Sequence, residues 1–329
     1  MAADHRATGL YGVATMFVAM LELLEEGMGS GGGGGAVLPP DQAAALPTHL
    51  RTGIAAGSSV PEALMRRLFA TLGLPDLVIC YGMTETAPVS CMTAPRDPLA
   101  KRTTTVGRVL PHTAVKIVDP HDRTRIVPRG TPGELAAGGY LVMQGYWGDA
   151  AQTAAVLRTD DTADHTTWMH SGDEAVMDAD GYVAVTGRLT DLIIRGGENI
   201  HPLEVENCLF QHPRVAEVSV VGVPDARYGE AVAAFVVPHG GVRVQGGLPL
   251  GDGPAARPTT PSDGDADAPT LSADDVRGWV RSRLSPHLVP AHVFWTDAYP
   301  KTASGKIQKF KLRAAAVAAL AAREKGTLL

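Results

Sequence analysis

Cysteine is scarce: Cys80, Cys91 and Cys208 stand far apart in 329 residues, with no paired metal spacing. That excludes a disulfide framework as the organising device and makes a reducing compartment the default. Long apolar runs are missing as well. No stretch reaches the roughly 18–20 residues a membrane span needs. The best candidate, Leu10–Leu24, is cut by Thr15 and Glu22 and predicts a core or amphipathic helix. Nor is there an excess of positive charge. With 29 Lys+Arg against 35 Asp+Glu, the net charge is −6, which argues against a globally basic nucleic-acid binder. Met1-Ala-Ala-Asp-His-Arg6 is followed by no h-region and cleavage site, and Gly326-Thr-Leu-Leu329 is not a peroxisomal Ser-Lys-Leu ending. The expectation is an intracellular protein, cytoplasmic or mitochondrial. What is present is ordinary for a globular chain, with 45% apolar and 19% charged residues. The length fits about two domains, each with its own core.

The 37 glycines and 24 prolines are unevenly spread. Gly29–Pro47 contains Gly-Ser-Gly-Gly-Gly-Gly-Gly and then Pro39-Pro40, and reads as a flexible surface insertion. Gly240–Pro269, rich in Gly, Pro, Asp and Thr, predicts a disordered loop inside a domain, because patterned sequence resumes on both sides. Between these stretches the pattern is mixed α/β. Helical spacing runs over Pro61–Leu72, and a short apolar strand, Leu77–Cys80, enters Tyr81-Gly82. From Val106 to Thr186 short apolar runs alternate with Gly/Pro turns, the mark of a β-rich subdomain. The C-terminal stretch reads α-β-β-α-β-α. Its parts are a helix from Pro202 to about Phe210, strands over Val215–Val223 and Ala231–Val237, and a helix capped by Ser272 running to about Leu284. A strand over Val293–Trp295 and a helix over Lys309–Arg323 follow.

Four stretches carry chemistry. In Tyr81-Gly-Met-Thr-Glu-Thr86 a strand ends in an aromatic, a glycine, a hydroxyl and a carboxylate. At the carboxyl end of a strand such groups can stack on a base, bond a phosphate oxygen and hold Mg²⁺, or simply form a capped turn. In His170-Ser-Gly-Asp173, Asp173 is expected just before a strand, where it could bond a ribose diol, with Arg188 near the same ribose or a phosphate. Each could equally be a turn residue or a surface ion pair. Asp180-Gly181 between apolar runs predicts a hairpin turn. Asp191-Leu-Ile-Ile-Arg-Gly-Gly-Glu-Asn-Ile200 drives a strand into the Gly196-Gly197 turn, where backbone can approach a ligand closely. Pro300-Lys-Thr-Ala-Ser-Gly-Lys306 lacks the spacing of a phosphate loop and reads as a mobile loop presenting a lysine.

Taken in order, these stretches resemble the adenylate-forming acyl-CoA synthetases, the AMP-binding superfamily, and within it the medium-chain fatty-acyl-CoA ligase branch. The similarity is carried by Leu10-Tyr-Gly-Val-Ala-Thr-Met-Phe17, Thr52-Gly-Ile-Ala-Ala-Gly57, Cys80-Tyr-Gly-Met-Thr-Glu-Thr86, Arg195-Gly-Gly-Glu-Asn-Ile200 and Gly305-Lys-Ile-Gln-Lys-Phe310. The resemblance implies an α/β fold. Residues 1–189 would be the C-terminal portion of a large AMP-binding domain, a partial α/β sheet with a β-rich subdomain. Residues 190–329 would be a small, mobile α+β domain pivoting at Thr190. The family joins a carboxylic acid to ATP, releasing pyrophosphate, and then passes the acyl group from acyl-AMP to CoA. By resemblance, Gly57 and Ser58 line the adenine and acyl pocket, and Tyr81, followed by Gly82, stacks on adenine. Thr84 contacts phosphate and Glu85 holds Mg²⁺. Asp173 binds the ribose hydroxyls with Arg188 nearby. Gly196 and Gly197 approach the pantetheine path, and Lys306 bridges carboxylate and phosphate during adenylation. The cofactors implied are ATP/AMP, CoA and Mg²⁺, and the substrate expected is a carboxylic acid of the fatty-acid class. Departures are small at Ala14, Ser171 and His201, while Thr190 stands at the pivot where many relatives have Asp or Lys. One is large: nothing in these 329 residues matches the family's Ser/Thr/Gly-rich phosphate loop ending in Pro-Lys. Two expectations therefore stand side by side. One is the C-terminal part of an acyl-CoA ligase; the other is a catalytically inactive truncated homologue that binds nucleotide, CoA or a protein partner.

Overall fold

A computed structural model of the chain describes residues 5–13, 16–21, 23, 49–56, 62–74, 76–160, 165–250, 269–302 and 306–324. It divides into two compact units, Met1–Thr186 and Gly187–Leu329. The expected insertion over 29–47, and Gly57 and Ser58, lie outside the described residues.

The first unit holds two sheets. One has the order β1 (Gly9–Val13), β2 (Thr52–Ala56), β3 (Asp76–Gly82), β4 (Val89–Met92), β5 (Arg108–Val109). The first three strands are parallel, and β4 and β5 add antiparallel. Helix α1 (Glu62–Leu72) connects β2 to β3 and buries Leu64, Met65, Leu68 and Leu72, a stripe set by the 3.6-residue period. A short helix, α2 (Leu99–Thr104), follows β4. The reading of Leu10–Leu24 as one helix is corrected here. Residues 9–13 form the strand β1, and helix covers residues 16–21, where Phe17 and Leu21 are buried four residues apart. Parallel pairing with Thr52–Ala56 overrides the local pattern. A strand whose partner is distant in sequence has no local signature beyond its apolar residues.

The second sheet runs β10 (Val183–Arg188), β9 (Thr167–Met177), β7 (Gly133–Gly139), β6 (Thr113–Val118), with β8 (Leu157–Thr159) on β9. Helix α3 (Ala150–Val156) precedes β8. Ile117, Leu135, Ala137, Ala175 and Val183 of this sheet pack with Cys91 of the other in one apolar core. The Asp-Gly turn forms, but Asp178 holds it: its Oδ1 accepts from the amides of Asp180 and Tyr182, both at 2.9 Å. Asp173 is not before a strand; it lies in the middle of β9.

The second unit is built on the order β12 (Glu198–Ile200), β11 (Ile193–Arg195), β14 (Gly229–Pro238), β18 (His292–Trp295), β16 (Leu248–Pro249), with β13 (Val215–Asp225) also on β14. β14 is buried on both faces, and the two-residue period sorts its side chains. Val232, Ala234 and Val236 join a core with residues of α4 (Pro202–Phe210) and α5 (Ala273–Arg281). Ala231, Ala233 and Phe235 face Leu312 and Ala316 of α6 (Lys309–Glu324). Ser272 caps α5 in a reciprocal box with Asp275, and that helix ends at Arg281 rather than Leu284. The disordered loop expected over 240–269 is corrected at its start. Within it, β15 (Arg243–Gln245) pairs in parallel with β17 (Thr270–Ser272), and β16 pairs with β18. Val244, Leu248 and Leu271 are buried, so these residues had apolar partners that composition alone concealed. Residues 251–268 lie outside the described set. Among the described residues no helix is long and apolar enough to cross a membrane.

Candidate nucleotide and carboxylate-activation site

Tyr81 and Asp173, far apart in sequence, meet in the first unit. β3 carries Tyr81 to its carboxyl end, where the register to β4 shifts between Tyr81 and Gly82. A Cβ on Gly82 would fall 1.6 Å from the Pro88 carbonyl oxygen, so only glycine fits this irregularity. The Tyr81 hydroxyl donates to Asp173 Oδ2 at 2.6 Å. Burial, with the Asp173 charge adding, pushes the Tyr81 phenol far above its ordinary value, so it remains a donor at neutral pH.

Asp173 is 8% exposed. Its amide donates to Ser171 Oγ at 3.0 Å, and that hydroxyl donates to the Leu135 carbonyl at 2.7 Å. Gly172 takes a left-handed conformation, φ +69°, and its amide donates to Glu134 Oε1 at 3.1 Å. Glu134 is fully buried. Arg123 grips both its oxygens, Nε at 2.7 Å and a terminal nitrogen at 3.1 Å, and His170 Nδ1 lies 3.1 Å from Oε2. Burial by itself would raise the Glu134 carboxyl. The contacts from His170, Arg123 and Gly172 outweigh it and hold the carboxyl below its ordinary value. Glu134 thus anchors the backbone that presents Asp173. In the sequence Gly133–Ala136 is only one of the short apolar runs between Val106 and Thr186. The available signal was one carboxylate inside that run, because a buried charge needs partners.

Thr84, Glu85 and Thr86 form a single 3-10 turn after β3. Thr84 is exposed, Glu85 half-buried. Tyr146 Oη donates to Glu85 Oε1 at 2.7 Å, and the Met143 amide donates to the Glu85 carbonyl at 2.9 Å. Among the described residues no donor reaches Glu85 Oε2. A half-exposed carboxylate with one oxygen left over suits a hard divalent cation, which binds Mg²⁺-style through one or two carboxylates plus phosphate oxygens. Burial and the Glu85 contact push the Tyr146 phenol up to about 12.

Of the remaining candidates, Arg188 lies where β10 runs from the first unit into the second along the chain, and the others belong to the second unit. Arg188 ends β10 and is exposed. Gly196 and Gly197, with φ of +61° and +87°, make the two-residue turn of the β11–β12 hairpin, where positive φ at both positions matches the strand twist. The Gly196 amide donates to the Tyr228 carbonyl at 2.8 Å, and the Arg195 guanidinium lies over the Tyr228 ring at 4.5 Å. Lys306 is exposed, and among the described residues its ammonium has no ion-pair partner. Its backbone is held, however. The Lys306 amide donates to Thr302 Oγ1 at 3.1 Å, and the Thr302 amide to the Lys306 carbonyl at 2.8 Å. On either side, Lys301 pairs with Glu217 at 3.1 Å and Lys309 with Glu206 at 2.7 Å. An unpaired cation on a braced stem is available to an anionic substrate.

Residues 1–147 match the family described as AMP-binding enzyme, and residues 204–306 match AMP-binding enzyme C-terminal domain. The chain is 41% identical over 309 residues to the putative acyl-CoA synthetase YngI of Bacillus subtilis (strain 168), covering 94% of this chain and 47% of that protein. It is 35% identical to the mitochondrial medium-chain acyl-CoA ligase ACSF2 of Mus musculus, covering 94% and 42%. ATP-bound MatB from Rhodopseudomonas palustris superposes with a TM-score of 0.72 at 26% identity, covering 96% of this chain and 52% of that one. The chain thus spans about half the length of the curated relatives it matches. With the two domain families matched in succession along a single polypeptide, and with this fold, the chain belongs to the adenylate-forming AMP-binding enzymes, among relatives that are acyl-CoA ligases.

Proposed function

We propose that this chain carries the nucleotide-binding and carboxylate-activating residues of an ATP-dependent acyl-CoA ligase acting on a fatty acid of medium length. The observation that carries the reading is the braced Asp173 carboxylate, held by Tyr81 at the end of a parallel strand. Ligands of open α/β sheets bind beyond such strand ends. The name of the mouse relative supports the chain length.

In this reading the Tyr81 ring lies against adenine and Asp173 accepts from the ribose hydroxyls, with Arg188 as a further contact. Thr84 Oγ1 bonds a phosphate oxygen, and Glu85 holds Mg²⁺, which when bound offsets phosphate charge. The substrate carboxylate attacks the α-phosphorus, a P–O bond forms, and pyrophosphate leaves. Two anions must approach for this, and the Lys306 ammonium stabilises the charge between them. The CoA sulfur then attacks the acyl carbonyl and AMP leaves, with Gly196 and Gly197 bordering the pantetheine. The bare backbone of that turn admits a close ligand, because among the described residues nothing lies within 4 Å of where a Cβ on Gly197 would project.

Calorimetric titration with AMP and with 2′,3′-dideoxy-AMP tests the reading on the chain as it stands. Asp173→Asn is expected to weaken AMP binding about 10–100-fold, the worth of a hydrogen bond to a charged group. The dideoxy penalty should be large in the parent and nearly vanish in the variant. An equal penalty in both proteins would remove Asp173 from the ribose. Tyr81→Phe leaves the buried Asp173 carboxylate without this donor and should lower stability by about 1–3 kcal/mol in urea unfolding.

A further inference from the structure

The segment from Gly139 to Asp149 has no assigned role, yet it touches Glu85 twice. Its main chain meets the Glu85 carbonyl through the Met143 amide, and its side chain meets the carboxylate through Tyr146 Oη. The tyrosine is not loosely placed. Its amide donates to Thr153 Oγ1 at 2.9 Å, and that hydroxyl donates to the Asp149 carbonyl at 2.7 Å. The Asp149 amide donates back to the Tyr146 carbonyl at 3.2 Å, and Asp149 Oδ1 caps α3 through the Gln152 amide at 2.8 Å. Gly145 is needed for this approach: a Cβ there would lie 2.9 Å from Thr153 Cγ2. The first turn of α3 therefore fixes the Tyr146 backbone, and the phenol reaches from it to Glu85. Carboxylates that bind cations usually have one oxygen directed by such an outer partner.

We propose that Tyr146 is a positioning residue for Glu85. Its hydroxyl holds Oε1, so that Oε2 is presented to a phosphate-bound divalent cation. This rests on the assignment of Glu85 to the cation made above.

Mn²⁺ with ATP, followed by electron paramagnetic resonance, reads the cation directly and needs no turnover. AMP binding in the absence of metal, measured in parallel, reads the rest of the site. Tyr146→Phe keeps the ring and the turn and removes one oxygen. It is expected to weaken Mn²⁺ in the ATP complex about 10-fold, within the range for loss of an outer partner, while metal-free AMP affinity stays within about twofold of the parent. Glu85→Gln should weaken Mn²⁺ further, and the double variant should match Glu85→Gln, because the hydroxyl acts only through that carboxylate. If Glu85→Gln loses Mn²⁺ and Tyr146→Phe does not, the positioning role is overturned and the Glu85 assignment stands. If neither variant changes Mn²⁺ binding, the assignment itself falls and the proposal with it. A parallel loss of Mn²⁺ and AMP affinity in Tyr146→Phe would show a general structural role and would also overturn the proposal.

Discussion

Lys306→Ala abolishes most acyl-AMP formation and largely spares thioester formation from supplied acyl-AMP; this is the largest effect expected on chemistry. The expected drop in the first half-reaction is about 10²–10³-fold, the usual cost of removing one group that stabilises transition-state charge. The second half-reaction joins a sulfur to an already activated carbonyl and brings no second anion against the α-phosphate, so its rate should change less than about threefold. The Lys306 ammonium has no ion-pair partner among the described residues, so the substitution leaves no buried charge behind. The two steps are measured separately, as carboxylate-dependent pyrophosphate exchange into ATP and as acyl-CoA release from acyl-AMP. A fusion that supplies the Ser/Thr/Gly-rich phosphate loop upstream is the appropriate enzyme. Equal loss in both steps would remove Lys306 from its adenylation role. The Lys301–Glu217 and Lys309–Glu206 pairs brace the stem and should survive the change, since neither involves Lys306.

Glu134→Gln should have the largest effect on stability. Glu134 is fully buried between Arg123, His170 and the Gly172 amide. Removing one partner of a buried pair leaves the other charge uncompensated, at a cost of about 3–5 kcal/mol. Arg123 is one-third exposed and can regain water, which places the expectation near the lower end. The pH dependence gives a second, signed check. The Glu134 carboxyl is held below its ordinary value, so its contribution is fully present above the unfolded-state carboxylate range and is lost as pH falls through the folded value. The difference in urea midpoint between parent and variant should therefore be widest at neutral pH and narrow in acid. A difference that stays constant from neutral pH to well below the carboxylate range would exclude the ionised Glu134 as its source. Because Glu134 also holds Gly172, the variant should weaken AMP binding through Asp173 even where it remains folded.

Much of the architecture was open to local reading. The helices over 202–210 and 309–324 and the strands over 215–225, 229–238 and 292–295 follow from period and caps, within a residue or two at most ends. Ser272 followed by Asp275 announces its own helix start. The Gly196-Gly197 turn is equally local, since two adjacent residues at positive φ call for glycine. The misreadings at β1, β15 and β16 share a different cause. β1 is a strand only because Thr52–Ala56 lies beside it, and β15 and β16 are strands only because Thr270–Ser272 and Phe294–Trp295 pair with them. In each case the partner is parallel and distant, so no turn or alternation marks the pairing.

The α/β class, the order of the chemistry-bearing stretches and the residue types offered at each are legible locally, because helix period, caps and turn glycines act over a few residues. Which of those residues meet is set by the fold. Tyr81 is a base-stacking candidate in sequence, and in the fold it is also the donor that holds Asp173. Tyr146 carries no local mark and Glu134 only its charge within an apolar run; the fold sets them against Glu85 and Gly172. Hydrogen bonds of 2.6–3.1 Å between residues tens of positions apart depend on how sheets and loops close on one another, and nearest-neighbour chemistry carries no record of that closure.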